Sequence, residues 1–243
     1  MRWITGLFAI AMLASCVTAY KGETIILPTV DSAHKYALQG GFSHLQFQLR
    51  LNKTMTAGMQ FNFPGGRMFF TDTNRTGKNT FQEVRFFGGY QMPPREGKRS
   101  YFFGYGGLGF GNCRYTENYR LPSQSVDSAR ISFSSGFQNV FIQAGYKASL
   151  GGKVWLVPHL GAKVVTFNNA KITRVVQGAN DLYSSPIFLK DRQIPMQLAP
   201  VISGGCSLLR SGERMDYFLD FTVHNGNYMF QRLTSRFGLG FHF

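Results

Sequence analysis

The sequence predicts an all-β chain folded as a closed, antiparallel, up-and-down transmembrane β-barrel, on three observations. From His34 onward, apolar and polar residues alternate with period two through segment after segment. The connections between these segments alternate between tight turns and long polar stretches, the layout of a barrel inserted in an outer membrane. The composition is poor in charge, at 16%, yet holds 28 Gly, 24 Phe and 11 Tyr in 243 residues; an average soluble domain is about 25% charged. That apolar content excludes disorder. No run of about 20 apolar residues follows the N-terminus, which excludes a bundle of membrane helices.

The strands follow in order. The stretch 34–51 changes phase midway: Tyr36, Leu38 and Phe42 are even, whereas Leu45, Phe47 and Leu49 are odd. A bulge explains this, and so does a tight turn near Gly40-Gly41. The turn gives ten strands and brings the N-terminus back to the turn side, as an even-stranded barrel requires. Ten is therefore favoured, with eight as the alternative. Further strands are expected at 54–65, 81–93, 99–114, 136–149, 153–168, 194–209, 213–226 and 231–243. In the last, Leu233, Phe237, Leu239, Phe241 and Phe243 oppose Arg232, Thr234, Arg236, Gly238, Gly240 and His242. Tight turns fall at Asn52-Lys53, 94–98, Gly151-Gly152 and Ser211-Gly212, and long loops near 65–80, 115–135 and 169–193. A secreted sandwich or lipocalin-like barrel also alternates, but with its apolar face inside.

Residues 1–19 form an export signal: Arg2 is its positive end, and Ile4 to Ala14 its apolar core, too short to span a bilayer. Leu13-Ala14-Ser15-Cys16 fits a lipobox, in which Cys16 is acylated. Val17-Thr18-Ala19 before Tyr20 fits ordinary cleavage. The lipobox is favoured. Residues 20–33 are then a periplasmic tether and 34–243 the barrel. The net charge of +14 points to an anionic neighbour. Its basic residues are scattered singly, without a zinc-finger or RNP-like signature, so lipid phosphates fit better than nucleic acid. Cys113 and Cys206 are expected as unpaired thiols. Neither has metal-ligand spacing to a His, and no cofactor motif is present.

The polar phase of the strands carries the candidate chemistry. Glu83, Arg85, Gln143, Lys147, His159, Lys163, Asp216, Asp220, Arg232 and Arg236 are expected to face inward. They line a narrow charged channel or, as favoured, pair into a filled lumen, since a barrel of eight to ten strands is largely filled by its own side chains. Asp216 and Asp220 lie on the strand next to Arg232 and Arg236. No catalytic residue is assigned. His224, near the outer end of its strand, is the one weak candidate for a general base, with Ser184, Ser185 and Asp181 in a loop that could reach it. Asn225-Gly226-Asn227 follows it, however, without the close serine of lipid A deacylase barrels. The loops carry Arg67, Arg75, Lys78, Arg114, Arg120, Arg130, Lys171, Arg174, Lys190 and Arg192 against Asp72, Glu117, Asp127, Asp181 and Asp191. These arginines and lysines form either an anion-binding surface or, more plainly, a solvated rim beside lipid phosphates.

The closing run Phe237-Gly-Leu239-Gly-Phe241-His-Phe243 resembles the recognition signal of bacterial outer-membrane β-barrels. The resemblance implies that the barrel-assembly machinery reads Phe237, Leu239, Phe241 and Phe243, and that the chain resides in the bacterial outer membrane. More narrowly, the lipobox, Leu27-Pro28 and the segment Val140-Phe-Ile-Gln-Ala-Gly-Tyr146 resemble uncharacterised barrel lipoproteins of Bacteroidota, which bring no known activity. The expected function is a monomeric, non-enzymatic envelope barrel. Its neighbours are outer-membrane lipids and lipopolysaccharide, polysaccharide or a protein. A small solute channel comes second and a lipid A-modifying hydrolase using His224 third.

Overall fold

The computed structural model describes residues 26–28, 34–63, 75–92, 100–123, 126–177, 187–188, 192–194, 197–225 and 233–243. Its strands are β1 (Tyr36–Gly41), β2 (His44–Arg50), β3 (Met55–Asn62), β4 (Arg75–Gln91), β5 (Tyr101–Ser123), β6 (Val126–Gly151), β7 (Val154–Gln177), β8 (Ile187–Phe188), β9 (Arg192–Ile194), β10 (Gln197–Ser211), β11 (Met215–Asn225) and β12 (Leu233–His242). β8 and β9 are short additions to the outer part of β7. The other ten close into one antiparallel barrel, each strand beside its chain neighbour.

The seam joins β12 to β1, with Ala37 opposite His242 and Gly41 opposite Gly238. Tyr36 and Phe243 extend it by exchanging backbone bonds of 3.1 and 3.0 Å. From Gly41, cross-strand pairs lead one way through Gly238, Phe218 and Leu209 to Trp155. The other way they lead through His44, Asn62, Glu83, Gly111 and Phe137 to Phe167. The two paths meet β7 at residues 155 and 167, a stagger that tilts the strands by roughly 35–45°.

The apolar phase faces out. Phe86, Phe110, Val140, Ile142, Leu160, Ile202, Val223 and Phe237 are exposed, while Gln46, Gln48, Glu83, Arg85, Asp220 and Thr222 are buried. On β6 the contrast between neighbours is 66% exposure for Ile142 and 5% for Gln143. This is the reverse of a soluble barrel, and it is stable where the surroundings are hydrocarbon.

The lumen is layered. Toward the turn end, Ile26, Leu27, Phe87, Phe103, Tyr105, Phe141, Val157, Leu209 and Phe218 cluster together. Toward the loop end, Phe81, Cys113, Phe133, Phe137, Val165, Phe167, Ala199 and Val201 form a second cluster. Polar residues lie between the two: Glu83 and Arg85 on β4, His159 and Lys163 on β7, Ser203 and Ser207 on β10.

Three details differ from expectation. The first hairpin turns at Phe42 and Ser43, because Gly40 and Gly41 are held in the seam opposite Leu239 and Gly238. Strands β4 to β7 run for 17 to 26 residues, so 75–80, most of 115–135 and 169–177 are strand and not loop. A membrane strand needs only about 9–11 residues. The strands therefore continue where the strict alternation of the sequence has faded. Finally, Ile26, Leu27 and Pro28 lie buried inside the barrel, within the stretch 20–33 expected as a periplasmic tether. An apolar trio whose third residue has no N–H loses little on dehydration.

Inward glycines make room for the rings. A Cβ at Gly58 would come 2.6 Å from the Phe87 ring, and one at Gly111 2.5 Å from Phe137. Gly89, Gly145 and Gly238 stand in the same relation to Tyr105, Phe103 and Phe218. Each ring thus lies against bare backbone on the next strand. At the β6–β7 turn, Gly151 and Gly152 have φ of 111° and 58°, which only glycine adopts at low cost. Gly58→Ala is expected to destabilise the barrel by about 1–3 kcal/mol through overpacking. Outward Gly88→Ala, whose Cβ meets nothing nearer than Thr56 O at 3.9 Å, should leave the urea midpoint unchanged.

Candidate functional site

The most elaborate group of polar side chains is built around Asp220 on β11. Register sets Ser207 and Arg236 directly across from it on the two flanking strands. Arg236 donates from Nη2 and Nε to Oδ2 at 2.8 and 3.2 Å. Ser207 donates to Oδ1 at 2.5 Å, and Thr222 to Oδ2 at 3.1 Å. His159 Nε2 lies 3.0 Å from Oδ1. It reaches there from β7 by passing over Gly205, where a Cβ would stand 2.6 Å from the imidazole. Both Asp220 and the Arg236 side chain are buried. Taking away either partner of such a pair leaves a charge without compensation, at a cost of about 3–5 kcal/mol.

A second group surrounds Glu83. Arg85 Nε lies 2.9 Å from its Oε1. Asn62 and Asn139 donate to its two oxygens at 2.8 and 2.6 Å. The Arg85 guanidinium also lies over the Phe141 ring, 5.3 Å from the centroid. At the turn end, Asp216 meets His242 Nε2 at 2.8 Å. Lys147 rests over the Trp155 ring at 4.8 Å.

Eight of the nine charged candidates are therefore described and buried on the inner face: Glu83, Arg85, Lys147, His159, Lys163, Asp216, Asp220 and Arg236. The ninth, Arg232, lies outside the described residues, as do Cys16, Ser184, Ser185 and Asp181. The described partner of Asp216 is His242. Of the C-terminal signal, Phe237, Phe241 and Phe243 are exposed on the outer face, with Leu239 half-buried among them. His224 is buried in the lumen, paired through the backbone with Ser203. Ser203 Oγ donates to Gly161 O at 3.4 Å. Cys113 and Cys206 are free, Cys113 buried and Cys206 half-buried. Among the described residues, no cluster of three or more His, Cys, Asp or Glu is placed to hold a metal.

Chemically, the groups around the two central carboxylates, Glu83 and Asp220, pair with one another. Each central carboxylate already has several donors, and the cations beside it are spent on that carboxylate or on a ring. The arrangement ties strands together across the barrel, and among the described residues it leaves no convergent, unused set of acid, base and nucleophile. The alternation assigned no face to the inward aromatics, which share a phase with charges. Their signal was the glycine on the adjoining strand opposite each ring.

A polar recess marks the outer wall above the apolar belt. Thr80, Gln82, Asn112, Cys113, Arg114, Ser134, Ser135, Gly136 and Asn168 line it across four strands. Toward the turn end, Val84 and Phe110 follow on β4 and β5, and Val140 and Val164 follow on β6 and β7 after Gln138 and Thr166. A β-bulge between Ser134 and Gly136 lies at this boundary, where Ser135 Oγ is 2.7 Å from Gly136 O and 3.0 Å from Asn168 O.

No family model matches the sequence, and no curated protein matches it. Among solved structures, the chain is similar to the translocator domain of the autotransporter NalP from Neisseria meningitidis. The match has 10% identity over 86% of each chain, with a TM-score of 0.44. It is also similar to CarO of Acinetobacter baumannii, at 8% identity over 86% of this chain and 98% of that one, with a TM-score of 0.41. Both are bacterial outer-membrane β-barrels.

Proposed function

We propose that this chain is a non-enzymatic barrel of the bacterial outer membrane, with a closed lumen and an outer wall that contacts lipopolysaccharide. One observation carries the reading: an apolar exterior encloses side chains that are already ion-paired. The inverse arrangement would be expected of a secreted protein, and an open row of unpaired charges of a selective pore. The seam between β1 and β12 completes the sheet within one chain, so a monomer suffices.

The contact with lipid is assigned to the recess around Arg114. It lies where the apolar belt ends, at the level of lipid headgroups, and offers an exposed guanidinium beside the amides of Gln82, Asn112 and Asn168. A guanidinium forks onto phosphate oxygens. Export is assigned to the N-terminal leader, cleaved before Cys16, which is the acylated residue. The loop residues supply further basic charge.

Three outcomes are expected. Purified lipopolysaccharide should bind the refolded protein in a salt-sensitive manner, and Arg114→Ala should weaken this by about tenfold, the loss of one charge-assisted contact; equal binding by both forms would count against the recess. In planar bilayers the protein should show no steady conductance, and large reproducible openings would contradict a closed lumen. Radiolabelled palmitate should be incorporated by the parent chain and not by Cys16→Ser; label in both would refute acylation at Cys16.

A further inference from the structure

The buried stretch Ile26–Leu27–Pro28 is held by the barrel in the way a peptide ligand is held. It forms no part of the strand ladder. Gln143 accepts from Ile26 N at 3.0 Å through Oε1 and donates to Ile26 O at 2.9 Å through Nε2. That is the two-bond pattern a neighbouring strand would offer, reproduced by one side-chain amide. Gln46 and Gln48 both donate to Leu27 O, at 3.2 and 3.0 Å. These bonds go to the main chain, so they do not depend on side-chain identity. Selectivity comes from Phe87, Phe103, Tyr105, Phe141 and Phe218, which surround the two aliphatic side chains. Pro28 presents no N–H that would need a partner in this setting.

The wall also differs here from the rest of the lumen. Around Asp220 and Glu83, wall residues satisfy wall residues. Gln143 instead directs both ends of its amide at the inserted segment. A buried amide with neither bond made is costly, so the wall at this level is complementary to a peptide and incomplete without one.

We propose that the turn-end half of the lumen is a binding site for a short, extended apolar peptide, occupied in cis by residues 26–28 and able to take a separate peptide of the same chemistry when that segment is out. Tethering through a few residues to β1 gives the resident segment a high effective concentration, so a free peptide competes only when the segment is removed or altered. The proposal deepens the closed-lumen reading and depends on it.

The test uses the full-length chain in detergent micelles with Trp3→Phe, which leaves Trp155, packed against the pocket, as the only tryptophan. The probe is acetyl-Thr-Ile-Ile-Leu-Pro-Thr-amide. The Ile26→Ser/Leu27→Ser variant should bind it saturably, with a shift in Trp155 emission. The parent chain should bind it about tenfold more weakly or not at all, and adding Gln143→Leu to the variant should cost about tenfold. No saturable binding, or equal binding by parent and variant, would overturn the proposal. Should the double variant fail to assemble, Leu27→Cys with Cys16, Cys113 and Cys206 changed to Ser provides the second measurement. Its thiol should resist a maleimide until the barrel is unfolded. Labelling at the rate of an exposed thiol in an assembled barrel would overturn the proposal too. Heat-modifiable gel migration of the same samples reports on the barrel itself, so failure of the pocket is distinguishable from failure of the fold.

Discussion

The constraint that organises this molecule is the pairing of backbone groups where no water can reach them. A peptide N–H or C=O facing hydrocarbon without a partner costs several kcal/mol, and a sheet escapes that cost only by meeting itself. Here the meeting point is short. β1 has six residues, and it joins β12 through five register pairs, from Ala37–His242 to Gly41–Gly238. Glycine at both Gly41 and Gly238 lets the two strands and the Phe218 ring approach closely. The strand resembling the assembly signal is thus the strand that closes the barrel, and its Phe237, Phe241 and Phe243 side chains are left exposed on the outer face.

Closure with ten strands creates an interior that must be filled, and filling it explains the rest of the composition. Rings lying over glycines use the space near both ends. Between them a charged belt spans the lumen from β7 to β12 through His159, Ser207, Asp220 and Arg236. Glu83, Arg85, Asn62 and Asn139 do the same for β3, β4 and β6. Such networks are favourable because every member has a partner. The low charged fraction of the sequence follows: lipid covers the outside, and inside each carboxylate must be matched by specific donors.

Much of this was written in the local pattern. The alternation of Met215, Tyr217, Leu219, Phe221 and Val223 with Asp216, Asp220, Thr222 and His224 fixes which side of β11 faces the lumen, and the phase change in 34–51 marks the place of a bulge or one more turn. Period two cannot show what fills a lumen, because Phe141 and Gln143 share a phase and only the glycine on the neighbouring strand separates a packed ring from a lipid-facing one. Nor does it mark the outer end of β5, since Arg114 to Tyr119 shows no apolar–polar alternation and is strand all the same. The inserted trio left no periodic trace at all. A three-residue stretch in which Ile26 and Leu27 are bound through their main chain to glutamines elsewhere in the chain looks like any short linker.

The account stands on which face of each strand meets hydrocarbon. The most direct measurement is a nitroxide scan along β6, at Val140, Phe141, Ile142, Gln143 and Ala144, in a background with the native cysteines removed and the barrel in phospholipid bilayers. Labels at Val140, Ile142 and Ala144 should collide often with dissolved oxygen and rarely with a water-soluble nickel chelate, while those at Phe141 and Gln143 should be shielded from both. Oxygen collisions peaking at Phe141 and Gln143, or nickel collisions peaking at Val140, Ile142 and Ala144, would contradict it.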